Sequence, residues 1–340
     1  LAARGAAFAR EALAPDVVGP VLRRSLETAL EERPSGSARA TSSPAPSSFP
    51  AGRLDRLRED LGRRRGGEVT WTLQPNARHA SVERPVVSVI VTLFDYERVI
   101  GECLESAAAS VGLPAPLELV VVDDASRDRS AAAAWEVLSR LQVPGVLVRK
   151  ARNTGLSDSR NVGLRVARAP SVFILDADNT GLPHGIAALH AALAGAAAAY
   201  GPLIRFDDAT GQAVGLLSAG AWDVRELVRG PYVDAMAMFD REAVLKLGGY
   251  SAEDLLAQGV QGWEDYDLWL KLAQAGHRVA HVPRVVGRYR VHGSSMLSET
   301  NRGSERLARH LARKFSALSA RYPELDRLFG ELERAIVYLV

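Results

Sequence analysis

Polar and apolar positions along this chain follow two alternating periods. Behind Pro85, Val86-Val87-Ser88-Val89-Ile90-Val91 is a short, nearly unbroken β-branched run, which predicts a strand buried on both faces. A helical period takes over from about Glu97 to Ser110. The next apolar run, Leu117 to Val122, stops at Asp123-Asp124-Ala125-Ser126-Arg127-Asp128. There Ser and Asp suit a turn, or the cap of a helix running through Trp135 to Leu141. Val146 to Arg149 reads as a third strand, Asn153 to Asn161 as a polar loop entering a helix to Ala167, and Val172 to Leu175 as a fourth strand. Alternation of this kind predicts an α/β fold with parallel pairing, right-handed crossovers and ligands collected at the carboxyl ends of the strands.

The flanks follow other patterns. Residues 1–33 read as short helices broken by Pro15 and Pro20, and 34–50 as a Pro- and Ser-rich linker with almost nothing to bury. Residues 51–84 carry a charged helix from Arg53 to Arg65 and a strand at Val69 to Leu73 that lead into the main domain. Beyond the fourth strand, Tyr232 to Phe239 reads as a strand, and a helix from Arg241 ends on Gly248-Gly249. Gly262-Trp263-Glu264-Asp265-Tyr266-Asp267-Leu268 opens another helix, whose Leu268 and Leu272 share one face and whose first turn carries three acids. Such acids favour the helix dipole whatever else they do. In 301–322, Leu307, Leu311, Phe315 and Leu318 form one stripe with Arg302, Arg306, Arg309, Arg313, Lys314 and Arg321 around it. Two readings stand: a helix packed on the parent domain, or a peripheral contact with an anionic membrane surface.

Composition narrows the setting. A chain of 340 residues, 47% hydrophobic and 24% charged, can bury a sizeable core in one large or two smaller domains. Its 42 basic and 40 acidic side chains nearly cancel, to +2, so no overall field argues for nucleic acid or a strongly anionic partner. The single cysteine, Cys103, excludes an internal disulfide and fits a reducing compartment. No apolar run approaches the ~18 residues of a membrane-spanning helix, and the first residues lack a secretory pattern. The expected location is therefore the cytoplasm, with attachment to the inner face of the membrane under the second reading of 301–322. Opening on Leu1 rather than Met points to an excerpt of a longer protein.

Candidate chemistry centres on Val172-Phe173-Ile174-Leu175-Asp176-Ala177-Asp178-Asn179. Asp176 and Asp178 arrive as the strand should end, and strand alternation would turn them to the same side. Carboxylate oxygens at the mouth of a parallel sheet suit a hard divalent cation that keeps positions open for phosphate oxygens. An isolated Asp-x-Asp is far more often a solvated turn, so its weight comes from the motifs around it.

Those motifs are Val-Ser-Val-Ile-Val-Thr-Leu-Phe-Asp, Val-Val-Asp-Asp-Ala-Ser, Arg-Asn-Thr-Gly-Leu-Ser-Asp-Ser-Arg-Asn, Leu-Asp-Ala-Asp-Asn, Gly-Gly-Tyr, Trp-Glu-Asp-Tyr-Asp-Leu-Trp and Tyr-Arg-Val-His. In this order, over roughly 85–295, the chain resembles the inverting nucleotide-sugar glycosyltransferases of family 2. The resemblance implies a GT-A type, Rossmann-like, mostly parallel sheet flanked by helices, here with N- and C-terminal helical extensions. It divides the chain into a nucleotide-sugar-binding half, 85–205, an acceptor-binding and catalytic half, 206–298, and a helical extension, 299–340. It also implies a nucleotide diphosphate sugar as donor, UDP-sugar favoured, with Mn²⁺ or Mg²⁺. The acceptor would be a hydroxyl of a glycan, a lipid-linked or a small molecule. The Gln-x-x-Arg-Trp motif and spans of processive members are missing, so transfer of a single sugar is expected.

Residue roles carry over motif by motif. Thr92 and Phe94 would contact the base, Phe94 by stacking, although Phe stands where Tyr is usual and Asp95 where Asn is usual, which leaves the base open. Asp124 would accept from the ring N–H of the base, and Arg160 would reach the diphosphate or brace the acidic loop. Asp178 would bind the cation directly, with His292 returning to it, while Asp176 lies near the ribose or reaches the metal through water. Asp265 would take the acceptor proton with Glu264 as its positioning neighbour, and Trp263 and Tyr250 would line the sugar or acceptor pocket. Two alternatives compete. A sugar-phosphate nucleotidylyltransferase needs a Gly-rich phosphate loop after the first strand, which Thr92-Leu93-Phe94-Asp95-Tyr96 lacks. A non-catalytic sugar-binding module would shed base or metal ligands, and Asp178, Asp265 and His292 are all present.

Overall fold

A computed structural model describes residues 71–258, 262–292, 297–325 and 328–330. The N-terminal segment, the linker, the Arg53–Arg65 helix and the start of the Val69–Leu73 strand lie outside the described residues. Strands β1 (Trp71–Pro75), β2 (Val87–Leu93), β3 (Leu117–Asp123), β4 (Gly145–Lys150) and β5 (Ser171–Asp176) come first, with helices α1 (Ile100–Ala108), α2 (Ser130–Arg140) and α3 (Leu156–Val166) between them. Then follow β6 (Thr180–Gly181), α4 (Gly185–Ala192), β7 (Ala198–Tyr200), β8 (Leu203–Asp207), β9 (Ala213–Leu217), α5 (Val224–Arg229), β10 (Met238–Asp240), α6 (Arg241–Lys246) and α7 (Glu253–Leu256). Helix α8 (Glu264–Gln274), β11 (Val279–His281), β12 (Gly287–Val291), α9 (Leu297–Lys314) and α10 (Ser316–Ser319) complete the order.

One sheet runs β1-β4-β3-β2-β5-β10-β7-β11, and a smaller one runs β6-β12-β8-β9. In the large sheet β2 pairs in parallel with β3 and β5, and β3 with β4, as the strand-helix alternation requires. Only β1, at the edge, and the short β10 run antiparallel to their neighbours. Every residue of β2 and β3 is buried, because helices cover both faces. Val87, Val89 and Val91 pack with Ile100, Cys103 and Leu104 of α1 on one face, while Ile90 packs with Val162 of α3 and residues of α8 on the other.

Three expectations change in detail. The strand read from Tyr232 shrinks to Met238–Asp240: Pro231 has no N–H, the Asp234 N–H donates to Ser218 Oγ, and the Met236 N–H donates to Asp234 Oδ1, so those donors are spent off the sheet. Strand β5 ends at Asp176, and Asp178 lies in the turn that follows. The period of two no longer relates these carboxylates, and each turns to different partners. Finally, the stripe Leu307, Leu311, Phe315 and Leu318 is buried in the core, while Arg306, Arg309, Arg313 and Arg321 are exposed. Packing on the parent domain thus uses the apolar face that membrane insertion would need. Among the described residues no helix is long and apolar enough to cross a membrane.

Helix α3 sits close to the sheet because position 163 is glycine. A Cβ there would lie 2.4 Å from Ile90 Cγ2, a methyl that its β-branched side chain cannot swing away. Gly163→Ala is therefore expected to lower stability by about 1–3 kcal/mol despite alanine's better helix propensity, read as an unfolding midpoint in urea.

Candidate active site

The carboxyl ends of β2, β3 and β5 bring Thr92, Asp124 and Asp176 to one edge of the sheet. Thr92 Oγ1 lies 3.5 Å from Asp176 Oδ1, on the strand paired beside it. Arg160, on the first turns of α3, is 1% exposed, so its charge must be met inside the protein. Its Nη2 donates to Asp176 Oδ1 at 2.9 Å and its Nη1 to Glu264 Oε1 at 2.7 Å, and its guanidinium lies 5.3 Å from the centre of the Tyr250 ring. One cation thus joins the end of β5 to the start of α8, residues 104 apart in sequence for the Glu264 contact. Of the two roles the resemblance offers Arg160, bracing the acidic residues is the one its contacts display.

Asp178 and His292 meet on the other side of Asp176. Asp178 Oδ2 and His292 Nε2 are 3.0 Å apart, and the Tyr96 ring stands edge-on to the imidazole at 6.1 Å. Two ligands at right angles on an ion with bonds of ~2.1 Å lie about 3.0 Å apart, so this carboxylate and imidazole fit neighbouring positions on a single octahedral cation. Among the described residues no group of three or more His, Cys, Asp or Glu forms a metal cage, so further ligands would come from outside these side chains.

At the start of α8, Gly262 and Trp263 adopt left-handed backbone, with φ of 122° and 61°. Such a value is costly for a residue as large as Trp and persists because the surroundings hold it. The indole is buried at 7% exposure, edge-on to Tyr266 at 5.6 Å, and tight against Gly330, where a Cβ would lie 2.4 Å from it. This turn presents Glu264 to Arg160 and leaves Asp265 beside it, with Asp265 Oδ1 accepting from the Tyr266 N–H at 2.7 Å. Burial, then the Glu264 carboxylate, raise the Asp265 pKa to about 8, against the lowering influence of Arg160.

A sequence model of glycosyl transferase family 2 matches residues 88–248. The amylovoran biosynthesis glycosyltransferase AmsE of Erwinia amylovora is 28% identical over 224 residues, 62% of this chain and 78% of AmsE. Residues 88–248 thus form a glycosyl transferase family 2 domain. RfbC, an O-antigen biosynthesis protein of Myxococcus xanthus, is 28% identical over 68% of the chain, which spans only 18% of RfbC. The GT-A fold recurs in S. aureus TarS residues 1–349, solved with UDP-GlcNAc, at a TM-score of 0.52 and 17% identity, covering 68% of this chain and 73% of TarS. The mannosyltransferase PcManGT from Pyrobaculum calidifontis, solved with GDP-Man and Mn²⁺, is 23% identical at a TM-score of 0.50, over 78% of this chain and 73% of that one.

The remaining expected residues of this glycosyltransferase fall into two groups. Phe94 is half-buried, with the Arg127 guanidinium 5.2 Å from its ring centre and held by Asp95, the residue that departs from the family pattern. Asp124 is buried, and its two oxygens accept the backbone N–H groups of Thr154 and Gly155 at 2.9 Å each, with Lys150 Nζ at 2.6 Å. Trp263 and Tyr250 are core side chains: Tyr250 is 3% exposed, and its buried hydroxyl has no hydrogen-bond partner among the described residues. Sequence reasoning passed over three residues that the structure brings into play. Lys150 answers Asp124 and Asp158. Arg290 holds the turn after β5 through the Asp178 carbonyl. Asp234, whose pKa burial and then the Asp176 carboxylate raise to about 7, adds a carboxylate to the field of Asp265. Asp234 carries no motif; its only signal was an acid in an otherwise apolar stretch after Pro231.

The raised pKa of Asp265 has a linked effect on stability. Between the ordinary carboxylate range and about pH 8 the folded protein keeps a proton that the unfolded chain has lost, so stability falls as pH rises through that window. Asp265→Asn removes this slope. The variant is expected to melt above the wild type at pH 8, with the difference closing by pH 4–5, in metal-free thermal scans.

Proposed function

We propose that the chain is a metal-dependent, inverting glycosyltransferase that moves one sugar from a nucleotide diphosphate donor, UDP-sugar favoured, to an acceptor hydroxyl of a glycan, a lipid-linked or a small molecule. The observation that carries this reading is the 3.0 Å approach of Asp178 to His292, with Asp265 on the far side of the Arg160 bridge. Asp178 and His292 would hold Mn²⁺ or Mg²⁺, which, when bound, neutralises the leaving diphosphate. Both terminal nitrogens of Arg160 are already engaged, by Asp176 and Glu264, so its part is to fix the distance between the donor side and the acceptor side of the site. Asp265 takes the acceptor proton as the new bond forms at the anomeric carbon and the bond to the diphosphate breaks on the opposite face. Because its pKa is raised to about 8, Asp265 is a stronger base than an ordinary carboxylate, at the cost of being largely protonated below that pH.

Support for the nucleotide side comes from the half-buried ring of Phe94 beneath Arg127 and from the TarS structure, solved with UDP-GlcNAc; PcManGT was solved with GDP-Man, which keeps guanine in the comparison. Asp124, Thr92 and Asp176 complete the expected nucleotide contacts. Two relatives act in amylovoran and O-antigen biosynthesis by name, so a growing polysaccharide or its lipid-linked precursor is the favoured acceptor. A cytoplasmic location belongs to the same proposal, in keeping with a free and buried Cys103.

Two measurements test the reading. With UDP- and GDP-sugars and Mn²⁺, Asp265→Asn should keep donor affinity by calorimetry while transfer falls by about 10²–10⁴-fold; transfer at the wild-type rate would remove Asp265 as the base. Glu264→Gln takes away the second cause of the raised Asp265 pKa, so the acidic limb of the pH–rate profile should move to lower pH. An unmoved limb would place the titrating group elsewhere.

A further inference from the structure

The geometry points to Arg290 as a positioning residue that sets the separation of Asp178 and His292 and thereby the affinity for the cation, an inference that rests on the metal reading above. Arg290 lies two residues before His292 on β12 and is 8% exposed. Its guanidinium reaches three separate segments. Nε donates to the Asp178 carbonyl oxygen at 2.8 Å, Nη1 to Asp208 Oδ1 at 2.7 Å just beyond β8, and Nη2 to Glu102 Oε2 at 2.5 Å on α1. The backbone answers in kind, since the Arg290 N–H donates to the Asn179 side-chain oxygen at 2.9 Å. The turn carrying Asp178 and the strand leading to His292 are therefore stitched twice, at the Asp178 carbonyl and at the Asn179 side chain. The Phe206 ring lies 4.7 Å from the same guanidinium and fills the space beside it.

Asp178 sits in a turn and His292 at the end of a strand, places where neither side chain is fixed by the sheet ladder. Without the stitch, the 3.0 Å separation that suits two neighbouring ligands would have to be found anew at each binding event. The planar fork of a guanidinium spreads its donors over three nitrogens and reaches acceptors on three separate segments, whereas a lysine ammonium gathers its donors on one atom and cannot span them. Removing the charge altogether would confuse the matter, because a cation near the metal also repels it. Arg290→Lys keeps the charge and loses the fork, which isolates geometry. Residues that orient ligands without touching the ion are worth about 10–100-fold in metal affinity.

The test is a Mn²⁺ titration of the full chain, with free ion read from its EPR signal, first alone and then with UDP present. Wild type, Arg290→Lys, Glu102→Gln and His292→Ala are compared, alongside melting temperature and metal-free UDP affinity. Arg290→Lys should bind Mn²⁺ about tenfold more weakly, with melting temperature and metal-free UDP affinity near wild type and with activity recovering as Mn²⁺ is raised. Glu102→Gln, which removes one anchor from a half-exposed side chain, should move affinity the same way by less. If His292→Ala weakens Mn²⁺ binding and both other variants match the wild type, the role of Arg290 is overturned while the metal reading stands. If His292→Ala also leaves Mn²⁺ binding unchanged, the metal reading itself falls. Should Arg290→Lys lose melting temperature and UDP affinity in parallel with Mn²⁺ binding, and Glu102→Gln change nothing, Arg290 is structural only.

Discussion

A buried guanidinium with two carboxylates is the constraint on which the site depends. Arg160 carries a full charge in a place almost without water, and Asp176 and Glu264 are what make that tolerable. Such a triad contributes little net stability, yet it is unforgiving of separation, because any one partner left alone is an uncompensated charge in the core. The two ends it joins, the close of β5 and the first turn of α8, therefore keep one spacing. Glu264, held in this way, faces Asp265 and is the second cause of its raised pKa, so the same contact that organises the site also tunes the group expected to act as base.

A second layer of charge pairing supports the first. Lys150 pairs with both Asp124 and Asp158 and also donates to Ser159, the neighbour of Arg160. On the acceptor side Asp267, fully buried, accepts from Ser251 at 2.6 Å and from Lys314 at 2.5 Å. Lys314 also donates to Ser251 and Asp254, so the last turn of α9 is tied to the helix that bears Glu264 and Asp265. The site is thus a set of acids placed by basic residues from behind, with the reactive face left to Asp178, His292 and Asp265.

Much of this was legible along the chain. The β-branched runs could only be buried strands, and their acidic ends could only lie on one rim once the sheet was parallel. Ordered motifs identified Asp178 and His292 as partners, and the structure brings them to 3.0 Å. Where local pattern failed, a longer-range contact had overruled it. The period of two misjudged Asp178 because β5 stops at Asp176, and no local feature announces Glu264 as the partner of Arg160. Trp263 looked like an aromatic floor for a sugar, but its left-handed backbone and its contact with Gly330 turn it inward. Arg290 stood in the Tyr-Arg-Val-His motif without a role, and Asp234 outside any motif, for a related reason: each acts with residues far off in sequence.

The fastening of Lys314 to Asp267 bears on how such enzymes are cut and joined. The family match ends at residue 248, before the helix of Glu264 and Asp265, before His292 and before the helix whose lysine pairs with Asp267. A chimera spliced at that boundary keeps the fully buried Asp267 with Lys314 but parts Arg160 from Glu264, so the buried guanidinium has to meet an acid from foreign sequence. A splice placed between residues 267 and 314 would part the buried carboxylate from Lys314, so the stretch from the Gly248-Gly249 turn through Lys314 has to move as one piece.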